Sequence, residues 1–164
     1  MLIREARLED AEGIITVMKN AEESNFMLFS PGERKLKPEQ LVVFIEKISK
    51  KFNSALFIAE VENKIVGYLI VQGDTPSRIA HRAYIVIGIH SDFRGRGMGT
   101  ALFSKLDDWA KDKAMQRLEL TVMVENTAGI ALYKKMGFEI EGTKRHSLHV
   151  DGSYVDEYYM SKLL

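Results

Sequence analysis

Hydrophobic positions along the chain switch repeatedly between a period of two and a period near 3.6, and each switch marks a change of element. The opening MLIREA reads as a short strand. LEDAEGIITVMKNAEE follows as a helix, with Ala11, Ile14, Ile15 and Met18 at helical spacing. SNFMLFSPGERKLK is rich in turn formers, carries aromatics and reads as a loop or a broken helix. Pro38 suits the first turn of a helix, which Leu41, Phe44, Ile45 and Ile48 continue. SALFIAEVENKIVGYLIVQGD is a strand, a tight Glu62-Asn63 turn and a second strand, and HRAYIVIGIH is a third in succession. A helix is predicted from about Met98 to Lys113, with Leu102, Leu106 and Trp109 on one face. RLELTVMVE alternates as a strand. NTAGIALYKKMG opens on a good N-cap residue, Asn126, and closes on Gly137. FEIEGTKRHSLHV and SYVDEYYMSKLL are two strands around Asp151-Gly152, a hairpin signal.

The predicted order is β-α-α-β-β-β-α-β-α-β-β. Strands that follow one another without helices argue against a purely parallel, doubly wound sheet. A mixed α+β sheet with helices on both faces is expected instead.

Composition adds mainly exclusions. The 164 residues suffice for one domain, 1–164, with its own core, and no linker, repeat or low-complexity segment interrupts them. Basic and acidic residues balance at 23 each, so no global field draws the chain to nucleic acid or membrane. No cysteine is present, which removes disulfides, thiolate metal sites and a cysteine acyl-enzyme. The N-terminus places acids where a signal peptide needs an apolar core, and no apolar run approaches a membrane span. A soluble cytoplasmic protein is the expectation.

The chemistry concentrates in RGRGMGT, Arg94 to Thr100, between a strand and a helix. A helix N-terminus offers unpaired amides and partial positive charge, and glycines before it let a ligand approach the backbone. Phosphate or pyrophosphate suits such a site, with Arg94 and Arg96 adding charge. Two common phosphate loops fail on spacing. No Gly-Lys-Ser/Thr follows as in a Walker loop, and a G-x-G-x-x-G count from Gly95 or Gly97 ends on Thr100 or Leu102.

Read as Arg94-x-x-Gly97-x-Gly99, the stretch resembles the acetyl-CoA loop of the GNAT (GCN5-related) N-acetyltransferase superfamily, [RQ]-x-x-G-x-[GA]. Downstream, Asn126 to Phe138, NTAGIALYKKMGF, is similar to that family's N-x-x-[AG]-x-x-x-Y-x-x-x-G-F segment. The resemblance covers nearly the whole chain. The first 50 or so residues match by pattern rather than by motif. The resemblance implies a GNAT-type fold and direct transfer of an acetyl group from acetyl-CoA to a primary amine. The acceptor would be an amino acid, a polyamine, a protein N-terminus or a lysine. A non-catalytic CoA-binding sensor of the same fold is the alternative.

The resemblance also implies roles. Backbone amides of Arg94, Gly95, Arg96, Gly97, Met98, Gly99 and Thr100 would hold the CoA pyrophosphate. The strand around Ile87 to Ile89 would pair with the pantetheine arm, and the Ile89 amide would polarise the thioester carbonyl. Asn126 would touch the cofactor arm, and Tyr133 would be the general acid for the leaving thiolate. By periodicity alone Tyr133 is a packing residue; its place in the motif reverses that preference.

Other candidates are weaker. For a general base the sequence offers Glu22 and Glu23, read first as a solvated helix end, and His81, read first as a solvated histidine. The four histidines lack metal-ligand spacing, and His146 and His149 are expected on opposite faces of a strand, so no metal is expected. The loop SNFMLFSPGERKLKPEQ and the C-terminal hairpin are expected on the acceptor side, and C-terminal strand edges could pair in a homodimer.

Overall fold

The computed structural model describes residues 1–164. Its elements, in chain order, are β1 (Leu2–Glu5), α1 (Ala11–Glu22), α2 (Pro38–Ser49), β2 (Ala55–Val61), β3 (Lys64–Gly73), β4 (Arg82–Ile89), α3 (Met98–Asp112), β5 (Arg117–Met123), α4 (Thr127–Lys135), β6 (Glu139–Val150) and β7 (Ser153–Leu163). The seven strands make one sheet in the order β1-β2-β3-β4-β5-β7-β6. Only β4 and β5 run parallel; every other neighbouring pair is antiparallel. The mixed sheet with helices on both faces agrees with the sequence expectation.

Strict alternation in β2 and β3 serves two cores. Leu56, Ile58, Tyr68 and Ile70 pack with α1 and α2. Phe57, Leu69 and Val71 pack on the opposite face with Leu102, Phe103, Leu106 and Trp109 of α3. Both faces are covered, which is why these strands read as continuous apolar runs rather than as a polar/apolar alternation. Each such fully buried side chain contributes about 1.5–3 kcal/mol.

Local signals place the element ends. The first helix starts at Ala11, later than the periodicity suggests, because residues 8–10 form a 3-10 turn. Asp10 terminates that turn: its carboxylate accepts from Arg4 Nη1 at 2.8 Å, Arg4 Nη2 at 2.9 Å and the Arg7 amide at 2.6 Å. Asp151 and Gly152 both take positive φ, +48° and +81°, the combination that a two-residue hairpin matched to strand twist needs.

One expectation about β6 fails. His146 and His149 do not diverge to opposite faces, since both rings stack on Tyr154, at 5.2 and 4.8 Å between centroids. The β6–β7 register shifts between Lys144 and Leu148, and His146 sits in the left-handed region at φ +48°. Residues 145–147 of β6 stand against Asp156 alone on β7, so two extra residues interrupt the strand's period of two.

Candidate active site

The site originates in an incomplete strand pairing. β4 and β5 are in register over three residues only, Arg82 to Tyr84 against Arg117 to Glu119. Beyond that, β5 continues to Met123 paired with β7 alone, while β4 continues to Ile89 paired with β3 alone. The two strands therefore diverge and leave a wedge in the middle of the sheet. At its narrow end the Tyr84 hydroxyl meets Thr121 Oγ1 at 2.7 Å, bridging the strands where backbone pairing has stopped.

The β4 edge facing the wedge carries free backbone groups. The His90 amide donates to Val66 O on the β3 side. Backbone groups alternate along a strand, so those of Ile89 and Ile87 point the other way, into the wedge. The Ile89 carbonyl there accepts from Arg94 Nε at 3.2 Å.

At the wide end stands the glycine-rich loop. Gly95 and Gly97 both have positive φ, +69° and +85°, which glycine adopts without the Cβ penalty. Gly97 is the N-cap of α3. The six successive amides from Gly95 to Thr100 donate no hydrogen bond within the protein; the first helical bond of α3 runs from Ala101 N to Gly97 O. Gly99 works differently. A Cβ there would lie 2.6 Å from Leu132 Cδ2, so its role is to let α4 approach α3 closely.

Opposite the loop, α4 supplies the second wall. Asn126 caps α4, its Oδ1 accepting from the Gly129 amide at 3.0 Å, which leaves its Nδ2 without a protein partner. Tyr133 packs edge-on against Phe103, with centroids 5.8 Å apart, and lies 6.3 Å from Phe138. Burial pushes its hydroxyl pKa up to about 12, and Tyr84 nearby adds to the rise, so the group is neutral at ordinary pH. Together these elements enclose a cleft of about 990 Å³ that runs from the glycine loop through the sheet.

Of the residues singled out from the sequence, Ile87, Ile89, Arg94, Gly95, Gly97, Met98, Gly99, Thr100, Asn126 and Tyr133 line this cleft. Arg96 does not: its guanidinium lies over Phe93, 4.9 Å from the ring centroid, and donates to Asp92 O at 3.4 Å. Its backbone amide is one of the six that donate no bond within the protein. The three candidate bases fare worse. Glu22 is not a solvated helix end but is 3% exposed and ion-paired with Arg34 at 2.9 Å, beside the buried Tyr68, whose hydroxyl pKa burial also raises. Arg34 comes from the loop after α1, which no periodicity marks. Glu23 is exposed at the end of α1, outside the cleft. His81 precedes β4 at the paired end, about 20 Å along the strand from Ile87, and its carbonyl accepts from Gln116 and Arg117.

Sequence reading missed two charged residues in the cleft. Lys135 on α4 reaches back to Thr100 Oγ1 at 3.2 Å, setting a second cation beside the free amides. Glu157 on β7 lines the opposite end, with Ser147 against its carboxylate. Lys135 follows Tyr133 by two residues within the quoted motif, so its place was readable there; nothing in the local pattern marks Glu157. Phe26, Met27 and Leu28 of the 23–37 segment, and Lys144, Ser147 and Leu148 of the hairpin, also line the cleft.

Residues 18–138 match the Acetyltransferase (GNAT) family. The chain is 35% identical over 123 residues to the L-amino acid N-acetyltransferase AaaT of Escherichia coli, covering 72% of this chain and 74% of that protein. It is 30% identical to an N-alpha-acetyltransferase of Sulfurisphaera tokodaii, over 97% of this chain and 90% of the relative. Among solved structures, a GNAT-family acetyltransferase of Streptococcus pneumoniae superposes at a TM-score of 0.94 with 28% identity, over 99% and 98% of the two chains. The Salmonella typhimurium protein yncA, solved with acetyl-CoA, shares the fold at a TM-score of 0.91 and 19% identity, over 100% and 94%. A sheet split between two parallel strands, with a free-amide loop at the mouth of the split, defines an acyltransferase of this fold. The chain belongs to the GNAT family and is an N-acetyltransferase.

Proposed function

We propose that the cleft binds acetyl-CoA between β4 and β5, and that residues 1–164 act as one domain passing the acetyl group directly to an α-amino group. The observation that carries this is the coincidence of an unpaired β4 edge with six free amides at the mouth of the same wedge. These features fit acetyl-CoA part by part. The amides from Gly95 to Thr100, with Arg94 and Lys135 beside them, suit a pyrophosphate. The exposed edge at Ile87 and Ile89 suits the amide-bearing pantetheine arm, which adds to the sheet as a strand would.

Each side chain then has a defined task. The Ile89 amide donates to the thioester carbonyl, where negative charge grows as the amine attacks. Asn126 steadies the arm through its free Nδ2. The neutral Tyr133 hydroxyl donates to the departing thiolate. With no cysteine in the chain, no thiol relay intervenes.

The acceptor is a free amino acid or the N-terminus of a protein or peptide. The names of the relatives at 35% and 30% identity, one acting on L-amino acids and one an N-alpha-acetyltransferase, support this class over polyamines and lysine side chains. The test is thiol release from acetyl-CoA with free L-amino acids, peptides bearing a free N-terminus, polyamines, and lysine peptides blocked at the N-terminus. Turnover confined to the first two groups is expected. Preferential turnover of polyamines or blocked lysine peptides would overturn the acceptor assignment.

A further inference from the structure

We propose that Glu157 is the carboxylate that receives the acceptor's amine, holding it electrostatically and taking its proton as the C–N bond forms. This rests on the acetyl-transfer reading above and adds the base that the sequence did not reveal.

Position comes first. On β5 and β7, Leu120, Val122 and Met160 belong to the core under α3, with Tyr158 packed against it. Their cross-strand partners are Leu120↔Met160 and Val122↔Tyr158, so the intervening pairs Thr121↔Tyr159 and Met123↔Glu157 face the opposite side of the sheet. Tyr84, bonded to Thr121, is on that side as well. Tyr133 reaches the wedge from the α3 side, where it packs on Phe103. Glu157 and Tyr133 therefore approach the gap from opposite faces. An amine can then enter beside Glu157 without displacing the hydroxyl that serves the sulfur.

Charge comes second. Glu157 is the only carboxylate among the residues lining the cleft. It is half-buried, and its one hydrogen-bond partner is Ser147, whose Oγ donates to Oε1 at 2.5 Å. It takes part in no ion pair, although Lys144 stands opposite it in the register. The two fully buried carboxylates, Asp10 and Glu22, are each matched by an arginine. A carboxylate partly withdrawn from water, with no cation bonded to it, favours the arrival of an ammonium group. The β6 bulge that shifts the register between Lys144 and Leu148 brings Ser147 onto one oxygen and leaves the other open.

The proton balance closes with Glu157 as the group that takes the amine's proton. The α-amino group of a peptide N-terminus titrates near 7.7–8.0, so a fraction is already neutral at about pH 7.5; a free amino acid, with its ionised carboxylate beside the amine, supplies a smaller neutral fraction. That neutral nitrogen attacks the thioester carbon and the C–N bond forms. The nitrogen, now strongly acidic, passes a proton to Glu157. The C–S bond breaks with its electron pair going to sulfur, which the Tyr133 hydroxyl stabilises. Glu157 returns the proton to water.

Glu157→Gln keeps the side-chain shape and its Oε1 still accepts from Ser147, so only the charge and the basicity are lost. The expected result is a fall in kcat of roughly 100-fold or more, a raised KM for the amine, and an unchanged Kd for CoA by calorimetry. Glu157→Asp should recover part of the loss. A Glu157→Gln enzyme that binds CoA and matches wild-type kcat and KM would overturn the assignment while leaving the transfer reading intact. Wild-type protein that binds CoA yet releases no thiol with any α-amine would overturn both.

Discussion

Replacing Tyr133 with Phe removes one oxygen and little else. The ring keeps its edge contact with Phe103 at 5.8 Å and its tilted contact with Phe138 at 6.3 Å, so the α4 wall stays in place. What is lost is a hydroxyl that burial holds neutral, its pKa pushed up to about 12. A thiol is the stronger acid, a cysteine side chain titrating near 8.5. Complete proton transfer from such a hydroxyl to a thiolate is thus uphill. The hydroxyl therefore contributes as a hydrogen-bond donor to the charge growing on sulfur, and only in that limited sense as an acid. A hydrogen bond to a charged group is worth about 1.5–3 kcal/mol, which corresponds to a kcat lowered roughly 10- to 150-fold. The assay is thiol release at saturating acetyl-CoA and amine, with CoA affinity measured separately by calorimetry. The ratio of wild-type to variant kcat should hold constant between about pH 6 and 9, because a hydroxyl with so high a pKa does not titrate there. A kcat unchanged within about twofold, at normal CoA affinity, would refute the role.

Other perturbations test the scaffold around it. Gly97→Val forces a β-branched residue into φ +85°, a strain of roughly 1–2 kcal/mol or more, yet its Cβ meets nothing within 4 Å. The variant should fold and bind CoA at least about tenfold more weakly, since a side chain at that position stands in the path of close backbone approach; normal affinity by calorimetry would remove the loop from the binding site. Gly88→Ala puts a Cβ 2.5 Å from Tyr68 Cε1, and Tyr68 is 1% exposed with nowhere to retreat. It should lower stability by about 1–3 kcal/mol in urea unfolding, and an unchanged midpoint would mean the ring yields freely. Hydrogen bonds from Arg4 hold the Asp10 carboxyl below the usual carboxylate range. Its contribution is therefore complete above the unfolded value near 3.9 and is lost as pH falls through the lower folded value. Urea midpoints should drop between about pH 5 and pH 2, and Asp10→Asn should flatten that slope; an identical slope in the variant would point to other groups.

Much of the site was readable because its parts are local. Gly95 and Gly97 stand where the backbone turns left-handed, and Asn126 caps the helix it begins. Both are short-range requirements that a residue type meets by itself. The same holds for the Asp151-Gly152 hairpin and for Pro38 at the start of α2. Gly99 is a partial exception: its place in the motif was visible, but its reason is the approach of Leu132 from another helix.

What could not be read depends on partners distant in sequence. Glu22 looks like a solvated helix end until the 23–37 segment folds back and delivers Arg34 to it. His146 and His149 look divergent until a bulge turns both rings onto Tyr154. Glu157 is one of two adjacent acids on an alternating strand until the β5–β7 register fixes which face it shares with Tyr84. The sequence by itself determined the elements, their order, the free-amide loop and the two motifs, because φ/ψ preference, capping and hydrophobic period act over a few residues. The tertiary structure alone decided that β4 and β5 part after three pairs, and which charges meet in the gap between them. Those outcomes depend on which faces can be buried together across the whole sheet, a sum over contacts that no local window contains.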